Sequence, residues 1–459
     1  MFFQQFKVEG MGCLSYLIGC PAAKVACVVD PKRDVQDYLD TARKNDMTIT
    51  HIFETHVHAD HVSGNMELKS RTGADVYYME DTPVTFESKR VAEGQVMAFG
   101  AAKLEFLKTP GHTPQAMSIL VTDTARSQEP WLVLTGDCLF VGDVGRPDLA
   151  GAELLSEQVR NLYDSLKHKL GGLRESIEVF PAHGEGSLCG KGMSPKSSST
   201  IGFEKMSNPT LSLSWEQFEQ DFQQSFPERP KSFTHIIETN RTGVPLLERC
   251  PVSRDLSALQ VKNYLDNGAI ILDARDTAAF GGVHIPGSIN IGLAKQTANW
   301  IGMVIEPSAE LILVVPDEKA YDSMCTQLHR IGYDTIIGYL YDGISAWQEM
   351  GYPISQLWQI SPAKLQKKVK SNHQYLFDVR TPMERRNGYI EQSQSLPLTE
   401  LLKAVPDLPK DEEIIVTCGI GYRGNIAASY LQGHGFEHVH SLAGGMKAWT
   451  NAGYPVIQG

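Results

Sequence analysis

The C-terminal part of the chain contains an internal repeat, and this repeat constrains the fold more than any other feature. The stretch Gly343–Trp347, followed by Gly-Tyr-Pro, returns 102 residues later (343 to 445) as Gly445–Trp449 with the same Gly-Tyr-Pro. Upstream, the letters ILDAR at 271–275 are echoed by LFDVR at 376–380. Each copy alternates short apolar runs with helical stretches. The repeat therefore predicts two small α/β domains, each with a parallel sheet.

Length and composition limit what the rest of the chain can be. The 459 residues fit about three domains, which we place at residues 1–250, 256–355 and 357–459. The 42% of apolar residues suffices for ordinary cores and excludes a disordered chain. A net charge of −12 without a basic stripe argues against binding to nucleic acid or to an anionic membrane. Eight scattered cysteines and an N-terminus without a signal-peptide pattern indicate a reduced, cytoplasmic protein.

Metal-binding residue types cluster after four apolar runs in the N-terminal part. The blocks are Thr55–His61 (THVHADH), Thr109–His112 (TPGH), Thr135–Asp137 (TGD) and Pro181–His183 (PAH). Because loops that follow strands can converge in space, imidazole and carboxylate groups placed there can hold one or two divalent metals. The seven potential ligands are His56, His58, Asp60, His61, His112, Asp137 and His183.

At these residues the sequence resembles the metallo-β-lactamase fold superfamily, which implies an αββα sandwich over about residues 1–250. Two branches of that superfamily act on thiol-containing substrates. The glyoxalase II type holds two zinc ions with all seven ligands and cleaves thioesters. The persulfide dioxygenase type holds one Fe(II), and by resemblance its ligands here are His56, His112 and Asp137. In that case His58, Asp60, His61 and His183 orient the ligands.

The segment Gly136–Leu149 resembles the persulfide dioxygenase branch, because an Arg and an Asp follow the metal aspartate by about ten residues. Arg146 is a candidate for binding a substrate anion. A salt bridge from Arg146 to Asp143 or Asp148 is an equally good interpretation, and Asp148 has the same two interpretations. Lys191 is a weaker candidate for substrate binding.

The second chemical feature is a cysteine at the end of an apolar run, Ile414–Thr417, in the second copy. Cys418 is followed by Gly419, Ile420, Gly421, Tyr422 and Arg423, and we expect a helix from about Asn425. Backbone N–H groups of such a loop, together with the start of a helix, form an anion cradle that stabilises a thiolate. Cys418 is therefore the candidate nucleophile.

This copy resembles rhodanese, a sulfurtransferase, through its Asp-x-Arg strand end, its cysteine-headed loop and its closing glycine, tryptophan and proline residues. Arg423 lies five positions after Cys418, which is one fewer than in cysteine phosphatases and suits a single sulfur atom. In the first copy we place Pro316 at the position of Cys418. We therefore expect residues 256–355 to form an inactive rhodanese-like domain that serves as a spacer or an oligomer contact.

The order of the domains resembles a bacterial persulfide dioxygenase–sulfurtransferase fusion of the sulfide-detoxification type. The resemblance implies one Fe(II) per chain, a small thiol persulfide and O₂ as substrates, and sulfite that Cys418 converts to thiosulfate. We also expect a homo-oligomer. The main alternative is a two-zinc thioester hydrolase of the hydroxyacylglutathione hydrolase type, fused to a sulfur carrier. A persulfide carrier or sensor without turnover is a third possibility.

Overall fold

A computed structural model describes residues 1–190, 192–223, 226, 228–247, 254–370 and 375–458. The described chain divides into two compact units. The first contains the described residues up to 247 together with residues 329–332, and the second contains both copies of the repeat apart from residues 329–332. Among the helices in these ranges, none has both the length and the apolar character that crossing a bilayer requires. Lys191, one of the substrate candidates, lies outside the described residues.

The first unit contains two six-stranded sheets, in each of which the strands follow one another in chain order. The strands of the first sheet are Phe2–Lys7, Leu14–Cys20, Val25–Val29, Thr48–Phe53, Asp75–Met79 and Lys89–Val91. The strands of the second sheet are Val96–Phe99, Ala102–Lys108, Met117–Asp123, Leu132–Gly136, Glu178–Pro181 and Ser199–Thr200. Both sheets mix parallel and antiparallel pairs.

Alternating apolar side chains join the two sheets face to face. Residues such as Phe53 of the first sheet and Phe106 of the second share one core. The outer face of the first sheet packs on helices through residues such as Tyr38, and that of the second through Phe218. The α-helices of this unit are Gln36–Lys44, Asn65–Thr72, Leu155–Asp164, Ile201–Ser207, Pro209–Ser212, Trp215–Phe222 and Ser232–Thr242, and a π-helix, Ser165–Leu170, follows the third of them. The resulting order of layers is αββα, as the sequence predicts.

The two copies of the repeat have the same topology. Each has a five-stranded parallel sheet in which the strands, numbered along the copy, lie in the order 1-5-4-2-3. The strands of the first copy are Asp255–Leu256, Ile270–Asp273, Ile289–Asn290, Leu311–Val314 and Ile336–Leu340. Those of the second are Trp358–Ile360, Tyr375–Asp378, Gln394–Ser395, Glu413–Thr417 and His438–Leu442.

Helices cover both sheets of the second unit. The helices of the first copy are Ala258–Asp266, Thr277–Gly282, Thr297–Val304, Glu318–Arg330 and Gly343–Glu349. Those of the second are Pro362–Val369, Pro382–Arg386, Leu398–Lys403, Tyr422–Gly433 and Gly445–Asn451. The last helix of each copy buries a tryptophan, Trp347 or Trp449, whose indole N–H donates to a proline carbonyl six residues later.

The strand register corrects one prediction. Asp273 pairs with Val314 in the first copy, and Asp378 pairs with Thr417 in the second. The residue after Val314 therefore occupies the position of Cys418. That residue is Val315, one residue before the proline that the sequence comparison placed there. The loop after this strand has a different length in the two copies, so the two sequences cannot be aligned position by position there.

Candidate metal centre and sulfur-transfer loop

Three of the potential ligands lie together at the ends of strands of the first unit. His56, His112 and Asp137 offer ligand atoms that all lie within 4.8 Å of one another. Asp137 Oδ2 is 3.8 Å from His56 Nε2 and 3.4 Å from His112 Nε2. All three atoms are buried and have no hydrogen-bond partner among the described residues. Because buried polar atoms are almost always paired, two imidazoles and one carboxylate left in this way fit a divalent metal of the kind bound by two histidines and a carboxylate.

The opposite edge of each of these side chains is held by a hydrogen bond. Thr55 Oγ1 lies 3.0 Å from His56 Nδ1 and itself donates to Asp30 Oδ2 at 2.8 Å. His112 Nδ1 lies 2.9 Å from the carbonyl oxygen of Arg146. Such contacts fix the ring orientation and direct the free nitrogen toward a metal.

Burial and neighbouring charges set the protonation of this centre. Burial holds the pKa of His56 and of His112 below its usual range, so both rings are neutral and able to bind a metal. Burial alone would raise the pKa of Asp137, but the nearby His183, which keeps its proton, outweighs it and lowers that pKa strongly. Asp137 Oδ1 also lies 2.5 Å from His183 Nδ1.

The other four predicted ligands lie beside this centre in two groups. His58 Nε2 is 3.1 Å from both Asp30 Oδ1 and Glu54 Oε2. These carboxylates raise the pKa of His58 well above its usual value, despite its burial. Asp60, His61 and His183 form a second group, in which Asp60 Oδ2 is 2.7 Å from His183 Nε2.

Sequence reasoning missed two thiols at this site. Cys13 Sγ lies 3.6 Å from Asp60 Oδ2 and joins the group of Asp60, His61 and His183. Cys189 similarly offers its Sγ beside Asp137 and His183. A cysteine in a strand or loop carries no sequence signal for such a position, because only the meeting of strand ends brings it there.

Arg146 and Asp148 pair with each other. Arg146 Nε and Nη2 each donate to one carboxylate oxygen of Asp148, both at 2.7 Å, and Arg229 adds a contact to the same carboxylate at 3.0 Å. Burial would raise the pKa of Asp148, but the two guanidinium groups lower it. The structure thus contains the salt bridge that the sequence left as one of two interpretations for Arg146.

A cavity of about 330 Å³ lies beside the metal-ligand loops. It is lined by Val57 and Ala59 of the first block, by Thr113 next to His112, by Leu149, and by residues of the helix Ser232–Thr242. Most of these groups are apolar, and the cationic residue among the lining residues is Arg241. The cavity can therefore take an uncharged or apolar part of a ligand next to the loops that carry His56 and His112.

In the second unit, Cys418 lies at the end of the central strand Glu413–Thr417 and is only 1% exposed. The N–H of Gly421 donates to Cys418 Sγ at 3.2 Å. The carbonyl oxygen of Cys418 accepts from the N–H of Met446 at 2.7 Å. The helix starts at Tyr422, earlier than predicted, so Tyr422 and Arg423 belong to its first turn. This arrangement supplies a backbone donor, the N–H of Gly421, to a sulfur anion.

Arg423 forms an ion pair with Glu384 near this loop. Its Nη1 donates to Glu384 Oε2 at 2.8 Å and its Nη2 to Oε1 at 2.5 Å. Burial would raise the pKa of Glu384, but the Arg423 guanidinium and the hydrogen bonds from Thr381 lower it to about 2. The side chain of Ile420, by contrast, is 67% exposed at the rim of the loop.

Comparison with known proteins assigns the domains. Residues 8–183 match the family model of the metallo-beta-lactamase superfamily, and residues 257–350 and 361–452 each match that of the rhodanese-like domain. A metallo-beta-lactamase from Staphylococcus aureus has 32% sequence identity and a TM-score of 0.66, over 74% of this chain and 98% of that chain. The chain belongs to the metallo-β-lactamase superfamily. The predicted fold class, with two rhodanese-like domains after the first, is confirmed.

Relatives of this superfamily member include both branches that the sequence resembles. The mitochondrial persulfide dioxygenase ETHE1 of Mus musculus is 26% identical over 238 residues, which is 50% of this chain and 84% of the relative. A hydroxyacylglutathione hydrolase of Rhodospirillum rubrum is 31% identical over 170 residues, which is 37% of this chain and 60% of the relative. The alignment with the persulfide dioxygenase covers more of both proteins, whereas the alignment with the hydroxyacylglutathione hydrolase has the higher sequence identity.

Proposed function

We propose that the chain is an Fe(II)-dependent persulfide dioxygenase coupled to a sulfurtransferase. The observation that carries this proposal is the set of three unpartnered ligand atoms of His56, His112 and Asp137, because two imidazoles and one carboxylate with open positions are typical of non-heme Fe(II) oxygenases. The persulfide dioxygenase relatives and the rhodanese-like domains support it.

When bound, the iron supplies the activation of O₂ for oxidation of the terminal sulfur, with the balance R–S–SH + O₂ + H₂O → R–SH + HSO₃⁻ + H⁺. The protein's own groups hold the site in shape. His183 fixes Asp137, and the carbonyl of Arg146 fixes the ring of His112. The cavity beside Val57 and Thr113 receives the carrier part R of the persulfide.

The second step takes place at Cys418. Its thiolate attacks the outer sulfur of a second persulfide, which forms Cys418–S–SH and releases R–S⁻. Sulfite then attacks the outer sulfur of Cys418–S–SH, which forms thiosulfate and returns the thiol. The N–H of Gly421 stabilises the sulfur anion that each exchange needs as attacking or leaving group.

Removal of one ligand tests the metal centre. His112→Ala should bind iron poorly and lower O₂ uptake at least 100-fold, because one of three protein ligands is lost. Iron content is measured after anaerobic purification, and O₂ uptake is measured with an electrode and glutathione, coenzyme A or cysteine persulfide. Sulfur transfer from thiosulfate to cyanide is the control and should stay unchanged. An iron-loaded wild-type protein that consumes no O₂ with any of the three persulfides would refute the proposal.

Removal of the thiol tests the coupling. Cys418→Ser should leave O₂ uptake within twofold of wild type and shift the product from thiosulfate to sulfite, because the acceptor of sulfane sulfur is absent. Cys325→Ser, which removes a buried thiol from the first copy, is the matched control and should keep the wild-type product ratio. Unchanged thiosulfate output in Cys418→Ser would contradict the coupling.

A two-zinc thioester hydrolase is the second candidate. It is favoured by the second group of ligand residues, Asp60, His61 and His183, and by the hydroxyacylglutathione hydrolase relative. Two zinc ions per chain, together with rapid hydrolysis of S-lactoylglutathione and no O₂ uptake, would establish it in place of the dioxygenase.

A further inference from the structure

The first rhodanese-like copy contacts the helix that starts at the sulfur-transfer loop of the second copy. Apart from residues 329–332, both copies belong to one compact unit. The third strand of the first copy, Ile289–Asn290, packs on the helix Tyr422–Gly433. The equivalent edge strand of the second copy, Gln394–Ser395, is exposed. The first copy therefore makes this edge-strand contact with the helix that follows Cys418, whereas the equivalent edge strand of the second copy stays exposed.

Tyr422 makes the contact nearest to the loop. It is the first residue of the helix, directly after Gly421, whose N–H points to Cys418 Sγ. Its hydroxyl donates to the carbonyl oxygen of Gly292 in the first copy at 2.8 Å and lies 3.5 Å from Thr297 Oγ1. Burial raises the pKa of Tyr422 to about 12, so the hydroxyl keeps its proton at neutral pH.

A buried chain of amide groups continues the contact along the helix. Asn425 Nδ2 donates to Asn290 Oδ1 at 2.6 Å, and Asn425 Oδ1 accepts from Gln359 Nε2 at 2.7 Å. The backbone N–H of Asn290 donates to Ser429 Oγ at 3.1 Å. Asn290 Nδ2 in turn donates to the carbonyl of Arg275 at 3.0 Å, at the strand end of the first copy. Such fully paired buried amides specify one docking position.

The position of this helix determines the geometry around the thiol. Gly421, at a φ of +98°, joins the loop to the helix, so a shift of Tyr422 moves the N–H that donates to Cys418 Sγ. Gly424, the third residue of the helix, also faces Cys418, because a Cβ placed there would lie 3.7 Å from Sγ. Small displacements of such groups reduce catalysis strongly.

We propose that the first rhodanese-like copy is a positioning domain for the second, and that Tyr422 is its main positioning residue. The edge strand Gln394–Ser395 of the second copy is exposed. The equivalent strand of the first copy, Ile289–Asn290, instead holds the helix that follows the loop of Cys418. The inference rests on the proposed sulfur transfer at Cys418, and it assigns to the inactive copy a role in the chemistry of its neighbour.

Tyr422→Phe in the full-length, iron-loaded chain is the test. Tyr430→Phe is the matched control, because Tyr430 lies on the same helix and its hydroxyl donates at 3.5 Å to the carbonyl of Leu402 within the second copy. The measurements are kcat and KM for thiosulfate-to-cyanide sulfur transfer, the rate at which iodoacetamide alkylates Cys418, the melting temperature, and O₂ uptake with glutathione persulfide.

We expect Tyr422→Phe to lower kcat at least fivefold and to change the alkylation rate at least threefold, with KM, melting temperature and O₂ uptake close to wild type. Tyr430→Phe should match wild type in every measurement. Equal kcat in wild type and Tyr422→Phe, an equal loss in both variants, or a loss accompanied by a matching fall in melting temperature would overturn the inference. Absence of sulfur transfer in the wild type would instead refute the proposed function.

Discussion

The two rhodanese-like copies share a frame but differ at the turn that carries chemistry. In each copy the second strand ends in an Asp-x-Arg pair, and the guanidinium lies 2.6 Å from the carboxylate, as in Asp273–Arg275 and Asp378–Arg380. In each, the arginine also donates to a carbonyl oxygen eight residues after itself. This buried pair is therefore part of the fold that the two copies share, and its presence does not indicate whether a copy can transfer sulfur.

The difference lies after the fourth strand. Three residues, beginning with Val315, separate that strand from the helix at Glu318 in the first copy. Four residues, beginning with Cys418, separate it from the helix at Tyr422 in the second. The longer loop also approaches Gly445 so closely that a Cβ there would lie 2.4 Å from the carbonyl oxygen of Cys418. The shared fold and the loop around Cys418 are thus separable features, and the absence of a thiol at position 315 is only part of the difference between the two copies.

The largest expected effect tests whether a thiol alone makes a copy active. In a Cys418→Ser background, Val315→Cys restores a thiol at the equivalent position of the first copy. We expect sulfur transfer from thiosulfate to cyanide to stay at least 1000-fold below wild type, because the shorter loop does not supply the cradle. Persulfide formation on the new cysteine is checked by mass spectrometry. Recovery of more than a few percent of wild-type activity would show that the frame suffices.

The next effect compares the same glycine in the two copies. Gly445→Ala should lower sulfur transfer at least 100-fold and destabilise the second copy by about 3 kcal/mol, because the added Cβ overlaps the Cys418 carbonyl. Gly343→Ala is the matched control, since Gly343 has a φ of +62° and open space around it, against +58° for Gly445. We expect only the backbone cost of about 1 kcal/mol there and unchanged transfer.

Equal losses of activity in the two glycine variants would show that the positive φ, and not the close approach, decides the outcome. Stability is measured by denaturant unfolding, and transfer by the thiosulfate-to-cyanide assay.

The smallest effect separates the two copies by pH. Burial holds the pKa of His284 in the first copy at about 4, whereas an unfolded histidine titrates near 6.5. Tyr389 occupies the equivalent position of the second copy. His284 forms a β-bridge with Ser355 near the end of the first copy, and Tyr389 forms one with Ile457 near the end of the second. In the unfolded first copy His284 binds a proton below about pH 6.5, whereas in the folded copy it binds one only below about pH 4. Its free energy of unfolding should therefore fall by about 2 kcal/mol between pH 7 and pH 5.

Hydrogen–deuterium exchange, measured on peptides of each copy, provides the check. His284→Asn keeps a donor for the carbonyl oxygen of Phe280, which now lies 2.9 Å from His284 Nδ1, and cannot titrate. The variant should remove the pH dependence from the first copy and leave the second unchanged. The same pH dependence in wild type and variant would contradict this role of His284.

Much of the architecture and the candidate site could be predicted from the sequence, because local signals encode them. The repeat around Trp347 and Trp449 predicted two copies of one fold, and the apolar run Ile414–Thr417 predicted the strand Glu413–Thr417 to within one residue. The blocks that contain His56, His112 and Asp137 predicted ligands at strand ends, where the structure brings the three together. Their assignment as iron ligands stays a prediction that the His112→Ala variant tests.

Other features could not be predicted because they depend on packing between distant segments. Cys13 forms an isolated bridge with His183 and lies beside Asp60, although both residues are far from it in the sequence. The carbonyl of Arg146 orients His112 through its backbone, which has no sequence signal. The side chain of Arg146 had two equally good interpretations until the structure paired it with Asp148.

The sequence by itself determined which chemical groups this protein has and the order in which its domains carry them, because residue types, their spacing and the repeat are properties of the linear chain. Only the tertiary structure decided which groups meet. Strand register placed Val315, and not Pro316, at the position of Cys418. Packing of an edge strand against a helix connected Tyr422 to Gly292, 130 residues away. Such contacts depend on how each sheet buries its apolar face, and no local pattern encodes that.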